Sequence, residues 1–535
     1  MLKRLLPPTL LGLLLTVLCL PVLAVLGSWL QLDRAGWEQL AEMARTVLPD
    51  YALTTLALCV AVALGVTVLG SLTACAVTLF EFPGRGIFEW ALLLPLAMPA
   101  YVLAFAYTDF LQFSGPLQTG LRELTGLQGR LLPDVQSLWG AMLVFTVALY
   151  PYVYLLVRAA LAERAVHLME AARLLGAPLG RRLREVALPL ARPALTAGVG
   201  LALMETLADF GVSSYFGIQT FTAGIYKAWL AMDNRWLAAQ LATVLLIIVA
   251  LLLSAERAAQ QRRRFASGRG GRAGSAEAQP TRLVGAPALL AWMVCALPIA
   301  LGFGLPVLFM ARPLIEGWGQ LPWAMFWKWS ISSVWLAGLT AALATALALL
   351  LAFGSRQRPR GLQGLATRMV GLGYAIPGAV VVVGLLLPMG CLQVLAPEMV
   401  VIVTATSVGL VWAYLVRFSS VALQSVDSGY ARIPASLDDS ARMLGVSGWA
   451  LLKQVHAPLL KRSAAAAALL VFVDVMKELP ATLVLRPFDS DTLAVMAYQL
   501  ARDERLGEAA LPALALVAVG LLPVVLLSRT LRKPP

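Results

Sequence analysis

Ten long apolar runs without a charged residue constrain this chain more than any other feature. A helix needs about 20 mostly apolar residues to cross the hydrocarbon core of a bilayer. Two further runs, which start at Pro193 and Ser463, are apolar for about three turns and then reach acidic residues. We therefore predict an all-α polytopic membrane protein with twelve transmembrane helices, six in each half. The ten runs are 5–32, 51–80, 90–108, 135–157, 236–255, 283–311, 329–355, 369–397, 399–416 and 509–528.

The composition of the 535 residues excludes the common soluble classes. Hydrophobic residues make up 60% of the chain and charged residues only 13%. Such a chain has too few polar side chains to cover the core of a soluble enzyme, and it is far too apolar for a disordered scaffold. Transmembrane strands alternate in polarity over about ten residues, and these runs do not alternate. The spans are therefore predicted to be helices.

The five cysteines and two histidines suggest no metal or catalytic centre. The cysteines lie in or at the ends of apolar runs with no CxxC spacing, which is typical of small packing residues. His167 and His456 fall in basic loops between the runs. We therefore assign no catalytic residue and no firm metal ligand.

The distribution of Lys and Arg orients the predicted helices. With a cytoplasmic N-terminus, the inner segments hold 30 of the 42 basic residues, which is the bias that cytoplasmic loops show. The net charge of +13 is then a topology signal and does not indicate a nucleic-acid partner. The first run resembles a signal peptide but is long for one and lacks a clear cleavage site, so we interpret it as a retained helix.

The chain divides into two halves joined by a basic linker. Residues 1–255 form the first predicted six-helix half and residues 283–535 the second. Between them, residues 256–282 contain seven arginines and a Gly-rich string, which predicts a flexible cytoplasmic tether. Residues 37–47 and 317–329, on the outer side, are rich in apolar residues with interspersed charge. Each is predicted to be a short surface helix that contacts a receptor or anchors at the bilayer interface.

An internal repeat links the two halves. Glu170, Ala171, Ala172 and Gly176 are followed by Leu188-Pro189, and Asp439, Ser440, Ala441 and Gly445 are followed by Ala457-Pro458. The acid, the glycine and the proline keep the same spacing in both copies, and the second copy begins about half a chain length after the first. This spacing indicates a tandem duplication with the two halves in parallel orientation.

The repeated segment predicts a helical hairpin at the cytoplasmic surface. An acidic residue suits the start of a short helix, and Arg173 or Arg442 one turn later can pair with it. Gly176 and Gly445 stand where a helix ends in a left-handed residue. A second helix would follow and end near Pro189 or Pro458.

Glu-Ala-Ala, a glycine after three further residues and the Leu-Pro pair resemble the EAA motif of bacterial binding-protein-dependent ABC importers. The resemblance implies a type I importer permease with both membrane halves fused in one chain, in the inner membrane, with cytoplasmic termini. It also implies that each hairpin docks on one of two ATP-binding subunits, and that a periplasmic binding protein delivers the solute. Since the sequence contains no GxxxxGK[ST] motif, we expect the chain to bind no cofactor, with ATP and Mg²⁺ held by the partner.

One pair of carboxylates interrupts the fifth predicted helix of each half. Glu205 and Asp209, like Asp474 and Glu478, are spaced to share one helix face. They either line a route for a cation, because hard cations prefer oxygen ligands, or lie at the outer helix ends, where Lys477 neutralises one acid. Intramembrane ionisable groups are costly and commonly functional.

Four strings sharpen the resemblance to ferric-iron permeases. A fused thiamine permease is the main alternative, followed by polyamine and aminophosphonate permeases. A secondary transporter also has twelve helices in two parallel repeats, but it would need no duplicated hairpin and no ATPase. The strings span residues 96–107, 204–211, 215–220 and 477–482.

Overall fold

The computed structural model describes residues 8–31, 33–162, 166–264, 281–357 and 361–531. Most of the described chain is helical, with loops such as residues 126–137, and its only strands are the two-residue parallel pair β1 (Phe80–Glu81) and β2 (Thr281–Arg282). This confirms the predicted all-α class. Residues 265–280 of the predicted linker lie outside the described residues.

Thirteen α-helices are described in the first half of the chain. They are α1 (Pro8–Gly27), α2 (Arg34–Thr46), α3 (Leu48–Leu79), α4 (Arg85–Ala91), α5 (Ala100–Leu111), α6 (Pro116–Thr125), α7 (Leu138–Ala160), α8 (Val166–Leu174), α9 (Leu179–Arg182), α10 (Leu188–Ala208), α11 (Gly211–Tyr215), α12 (Phe221–Tyr226) and α13 (Arg235–Arg264).

Thirteen α-helices are also described in the second half. They are α14 (Ala286–Ile299), α15 (Leu305–Glu316), α16 (Trp323–Gln357), α17 (Leu362–Val370), α18 (Gly378–Leu395), α19 (Pro397–Ala405), α20 (Ser407–Tyr430), α21 (Ala435–Met443), α22 (Trp449–Leu451), α23 (Ala457–Lys477), α24 (Pro480–Leu485), α25 (Leu493–Arg502) and α26 (Leu506–Leu531).

The number of membrane-spanning helices agrees with the predicted twelve. Within the described ranges, ten helical segments are long and apolar enough to cross a bilayer. An eleventh span is broken by an 89° bend between residues 85–97 and 100–125. The remaining candidate is α23, which carries Lys461, Arg462, Asp474 and Lys477 and is therefore less apolar than the others. The predicted run 399–416 is divided between α19 and α20, so that the span there is Ser407–Tyr430.

The start of the predicted linker is helical. Residues 256–264 continue α13, because Ala, Gln and Arg are good helix formers. Of the two segments predicted to lie on the outer side, α2 covers most of the surface helix predicted at 37–47. The segment 317–329 instead forms a single 3₁₀ turn, Trp318–Gln320, and then the first turns of α16.

The described chain forms two compact units, and each unit draws on both halves of the sequence. One unit, here unit A, comprises residues 1–44, 224–246 and 322–496, and unit B comprises residues 45–223, 247–321 and 497–535. This division differs from the boundaries 1–255, 256–282 and 283–535, which describe the sequence repeat and stay a prediction.

End helices of one half complete the unit formed by the other half. In unit A, α1 packs on α18, and a Cβ at Gly384 would overlap the Pro21 carbonyl oxygen. In unit B, α15 packs on α5, where the Phe110 and Phe309 rings stack with centroids 3.7 Å apart. Glycine at position 384 permits the close approach of α1 to α18. Close backbone packing therefore holds α1 against α18.

Candidate functional site

The first predicted hairpin, residues 166–187, has the expected helix–turn–helix form. It consists of α8, a turn through Gly176, the short α9 and one π-helical turn, Leu183–Ala187. Glu170, Ala171 and Gly176 are exposed. Ala172 is half-buried. The predicted docking face of this hairpin is therefore accessible.

The second hairpin, residues 435–456, repeats this form with α21, a turn through Gly445, α22 and a π-helical turn, Leu452–His456. Asp439 is exposed and its carboxylate pairs with Arg442 at 3.1 Å, as the sequence spacing predicts. Ala441 differs from its first-half counterpart Ala172, because it is buried against its own chain. Its methyl group therefore packs internally.

Both hairpins end their first helix with the same glycine-centred turn. The φ of Gly176 is 78° and that of Gly445 is 81°, in the left-handed region that favours glycine. Ala177 N–H donates to Ala172 O, and Val446 N–H donates to Ala441 O, at 3.0 and 2.9 Å. Each glycine N–H donates to the carbonyl three residues earlier. These are the two hydrogen bonds of a Schellman motif, which explains the glycine in each copy.

The prolines of the motif lie at the start of a membrane helix. Leu188 and Pro189 begin α10, and Pro458 is the second residue of α23. The chain stays helical through the preceding π turns, so the expected helix end near each proline does not occur. Each proline lacks an N–H group, so it removes one backbone hydrogen bond at the junction between the π turn and the α-helix.

Sequence reasoning overlooked an apolar doublet at the tip of each hairpin. Leu174 and Leu175 are 84% and 87% exposed, and Met443 and Leu444 are 90% and 83% exposed. Large apolar side chains are thus exposed at equivalent positions in both copies. The signal available in the sequence was two apolar residues directly before each glycine.

Glu478, one of the predicted pathway carboxylates, is buried in unit A. Its Oε1 accepts hydrogen bonds from Arg417 Nη1 at 3.0 Å and from the Ala481 N–H at 2.8 Å. Its Oε2 accepts from the N–H and the hydroxyl of Thr482 at 3.0 and 2.6 Å. Glu478 thus caps α24 and neutralises a buried arginine, which satisfies most of its acceptor capacity.

Asp209 occupies the equivalent position in unit B, because it follows Glu170 at the same spacing at which Glu478 follows Asp439. Its Oδ2 accepts from the N–H groups of Val212 and Ser213 at 3.0 and 3.2 Å, so it caps α11 as Glu478 caps α24. The counterpart of Arg417 in the first copy of the repeat is Ala148, which brings no charge.

The other two predicted pathway carboxylates lie one turn earlier. Glu205 on α10 and Asp474 on α23 are half-buried and stand at equivalent positions of the repeat. The repeat therefore provides one capping and one helix-face carboxylate in each unit. Within the described ranges, no group of three or more His, Cys, Asp or Glu side chains has a metal-binding arrangement.

Comparison with known proteins supplies the family. The sequence model of the protein family described as binding-protein-dependent transport system inner membrane component matches residues 66–264, which include the first hairpin. The chain is 32% identical over 202 residues to the sulfate transport system permease protein CysT of Salmonella typhimurium, covering 36% of this chain and 68% of that protein. The chain belongs to this family of membrane transport components.

A second relative extends the likeness to both halves. The chain is 26% identical over 517 residues to the Fe(3+)-transport system permease protein FbpB 2 of Haemophilus influenzae, and the match covers 96% of each protein. The chain is therefore a multi-pass membrane permease of the ABC transporter class, with both halves fused in one polypeptide, as the internal repeat predicts.

Proposed function

We propose that this permease moves ferric iron from a periplasmic binding protein to the cytoplasm, driven by ATP that separate subunits hydrolyse. The observation that carries the substrate is the end-to-end likeness to a permease named for Fe(3+) transport. The sulfate permease likeness covers a shorter stretch of this chain. Thiamine, polyamine and aminophosphonate remain the alternative substrates.

The presence of two similar hairpins supports the proposal that two ATPase subunits bind the permease. Each hairpin presents an exposed acidic residue and an exposed apolar doublet beside the same left-handed turn. We propose that each doublet binds in an apolar pocket of its own ATP-binding subunit, which carries ATP and Mg²⁺. A buried apolar anchor contributes much of the affinity of an interface.

Alternating access links these parts. ATP binding would close the ATPase dimer and draw the hairpins together, so that the permease opens toward the loaded binding protein. Hydrolysis would restore the inward-facing state. This scheme places the permease in the bacterial inner membrane, as the family resemblance implies, with the cytoplasmic termini that the distribution of basic residues predicts.

Carboxylates in the fifth helices suit a cationic cargo. We propose that Glu205 and Asp474 attract the iron along its path, whereas Asp209 and Glu478 shape the ends of α10 and α23. Oxygen donors are the ligands that hard cations prefer. Glu205→Gln combined with Asp474→Asn should lower iron uptake while leaving basal ATP hydrolysis unchanged, and equal uptake by this variant and the parent would contradict the assignment.

The function is tested with the permease, its ATPase and its binding protein reconstituted in liposomes. ATP hydrolysis is compared with the binding protein empty, loaded with ferric iron or offered thiamine. Selective stimulation by the iron-loaded protein is expected. Stimulation by thiamine alone would overturn the substrate, and failure of the ATPase subunit to bind the permease would overturn the ABC mechanism and favour a secondary transporter.

A further inference from the structure

One arginine at the end of α16 holds the start of the second hairpin. Arg356 Nε donates to Asp438 Oδ2 at 2.8 Å, and its Nη2 donates to Asp438 Oδ1 at 3.2 Å. The same Nη2 lies 3.0 and 3.1 Å from the carbonyl oxygens of Ile433 and Pro434. The guanidinium therefore binds both the connection from α20 and the first turn of α21.

These contacts are largely shielded from water. The side chain of Arg356 is 18% exposed and that of Asp438 is 6% exposed. The guanidinium also lies over the Tyr430 ring, with its carbon 5.3 Å from the ring centroid. A forked arginine–carboxylate pair is strong and directional, and partial burial protects it from screening.

A second layer supports the pair. The His456 side chain is fully buried, and its Nε2 lies 3.2 Å from Asp438 Oδ1. Its ring packs edge-on against Phe353, one turn before Arg356 on α16. The next residue, Gln357, accepts a hydrogen bond from Arg442 near the other end of α21. The last turn of α16 thus holds both ends of α21.

The first hairpin has different residues at the corresponding positions. When the two copies of the repeat are aligned, Met169 stands in place of Asp438 and Ala187 in place of His456. Met169 and Ala187 are both buried, and neither side chain can accept a hydrogen bond from a guanidinium as a carboxylate does. Among the described residues, this arginine–carboxylate attachment occurs in the second hairpin and not in the first.

We propose that Arg356 is a positioning residue that fixes α21 to α16, so that a displacement of the second hairpin moves α16 with it. The inference rests on the proposed coupling role of the hairpins. Hydrogen-bond and salt-bridge networks between rigid elements carry energetic coupling, and the five donor–acceptor contacts of the Arg356 guanidinium form such a network between α16 and the start of the second hairpin.

The decisive variant removes the hydrogen bonds of Arg356 without leaving a buried charge unpaired. Arg356→Met alone would leave Asp438 buried and unpaired, which is strongly destabilising. Arg356→Met combined with Asp438→Leu replaces both partners by apolar groups, a change that is commonly neutral for folding. The matched control is Arg432→Gln, which removes an exposed arginine from the same loop.

The experiment uses the complete reconstituted complex. We expect the double variant to melt within a few degrees of the parent and to bind the ATPase subunit. Its transported solute per ATP should fall at least about threefold, a size typical of mutations along a coupling route. Amide hydrogen exchange in residues 435–443 should accelerate, while exchange in residues 166–174 and the behaviour of Arg432→Gln stay as in the parent.

Two results would overturn the proposal. One is a double variant with the solute-to-ATP ratio of the parent. The other is unchanged hydrogen exchange in α21, which would show that Arg356 does not hold that helix. Absence of ATP-dependent transport in the parent complex would instead contradict the proposed function, while the exchange result would still decide whether Arg356 fixes α21.

Discussion

The first and second hairpins end their leading helices with nearly the same backbone and attach to the rest of the chain by different chemistry. Gly176 and Gly445 have φ values of 78° and 81°, and an exposed apolar doublet precedes each of them. Beneath this similar surface, Met169 is an apolar contact where Asp438 is a carboxylate held by Arg356. The exposed surfaces of the two hairpins are thus alike, whereas the contacts beneath them differ.

The ends of the fifth helices show the same contrast. Asp209 and Glu478 each cap the short helix that follows, but only Glu478 faces an arginine, Arg417, at 3.0 Å. In both comparisons the second half adds a buried charge pair where the first half has an alanine or a methionine. Buried pairs are weak evidence of added stability but they specify one geometry. The following predictions test whether the two halves behave alike where they look alike.

The largest expected effect is at the two glycine turns. Gly176→Asp and Gly445→Asp should each reduce coupled transport by at least about tenfold, because the new side chain projects from a left-handed residue and adds charge to the docking face. Coupled uptake and stimulated ATP hydrolysis are the measurements. Gly180→Asp is the control, since Gly180 is exposed in the same hairpin without a positive φ. If one glycine variant transports normally, the two hairpins are not equivalent docking sites.

Next in size is the loss of the charge pair in the second half. Arg417→Met should destabilise unit A by about 3–5 kcal/mol, because Glu478 would stay buried without its cation. Asp209→Asn in unit B should cost only about 1 kcal/mol, since the amide oxygen can still accept the capping hydrogen bonds. Thermal unfolding of the purified permease measures both changes. Equal losses would contradict the difference inferred between the two caps.

The smallest effect is a pH dependence of the second hairpin. Burial lowers the pKa of the His456 imidazole, with Arg356 and Arg442 acting in the same direction and Asp438 opposing them. The imidazole therefore stays neutral when packed and takes up a proton more readily when released. Stability of α21 should fall as pH drops below the ordinary histidine pKa of about 6.5.

Hydrogen exchange of α21 between pH 7.5 and pH 5.5, corrected for intrinsic rates, measures this dependence. Residues 362–370 of α17 serve as the internal control because they contain no histidine, whereas residues 166–174 of the first hairpin include His167. His456→Gln should remove most of the difference between the two pH values. A change of equal size in the parent and in His456→Gln would show that His456 is not the titrating group.

Local patterns in the sequence predicted much of this architecture. The apolar runs identify the membrane helices because span length is fixed by bilayer thickness. Gly176 and Gly445 identify the hairpin turns because a left-handed helix end strongly favours glycine. The carboxylate spacing likewise located Asp209 and Glu478 at corresponding places in the two halves.

Contacts between distant segments could not be predicted. Arg356 and Asp438 are 82 residues apart, and nothing in their local sequence links them. The same holds for α1, which packs on α18 of the other half. The spacing of Glu478 to Asp474 is visible in the sequence and fits either a cargo ligand or an outer helix end, whereas its partner Arg417, 61 residues earlier, becomes apparent only in three dimensions.

Uptake of ferric iron by proteoliposomes tests the central claim most directly. Liposomes that contain the permease, with ATP and the ATPase subunit on the hairpin side and the iron-loaded binding protein on the other, are compared with liposomes that lack the ATPase subunit. We predict iron accumulation only when the ATPase and hydrolysable ATP are both present. Equal accumulation without the ATPase subunit would contradict the account and identify the chain as a transporter that works without ATP.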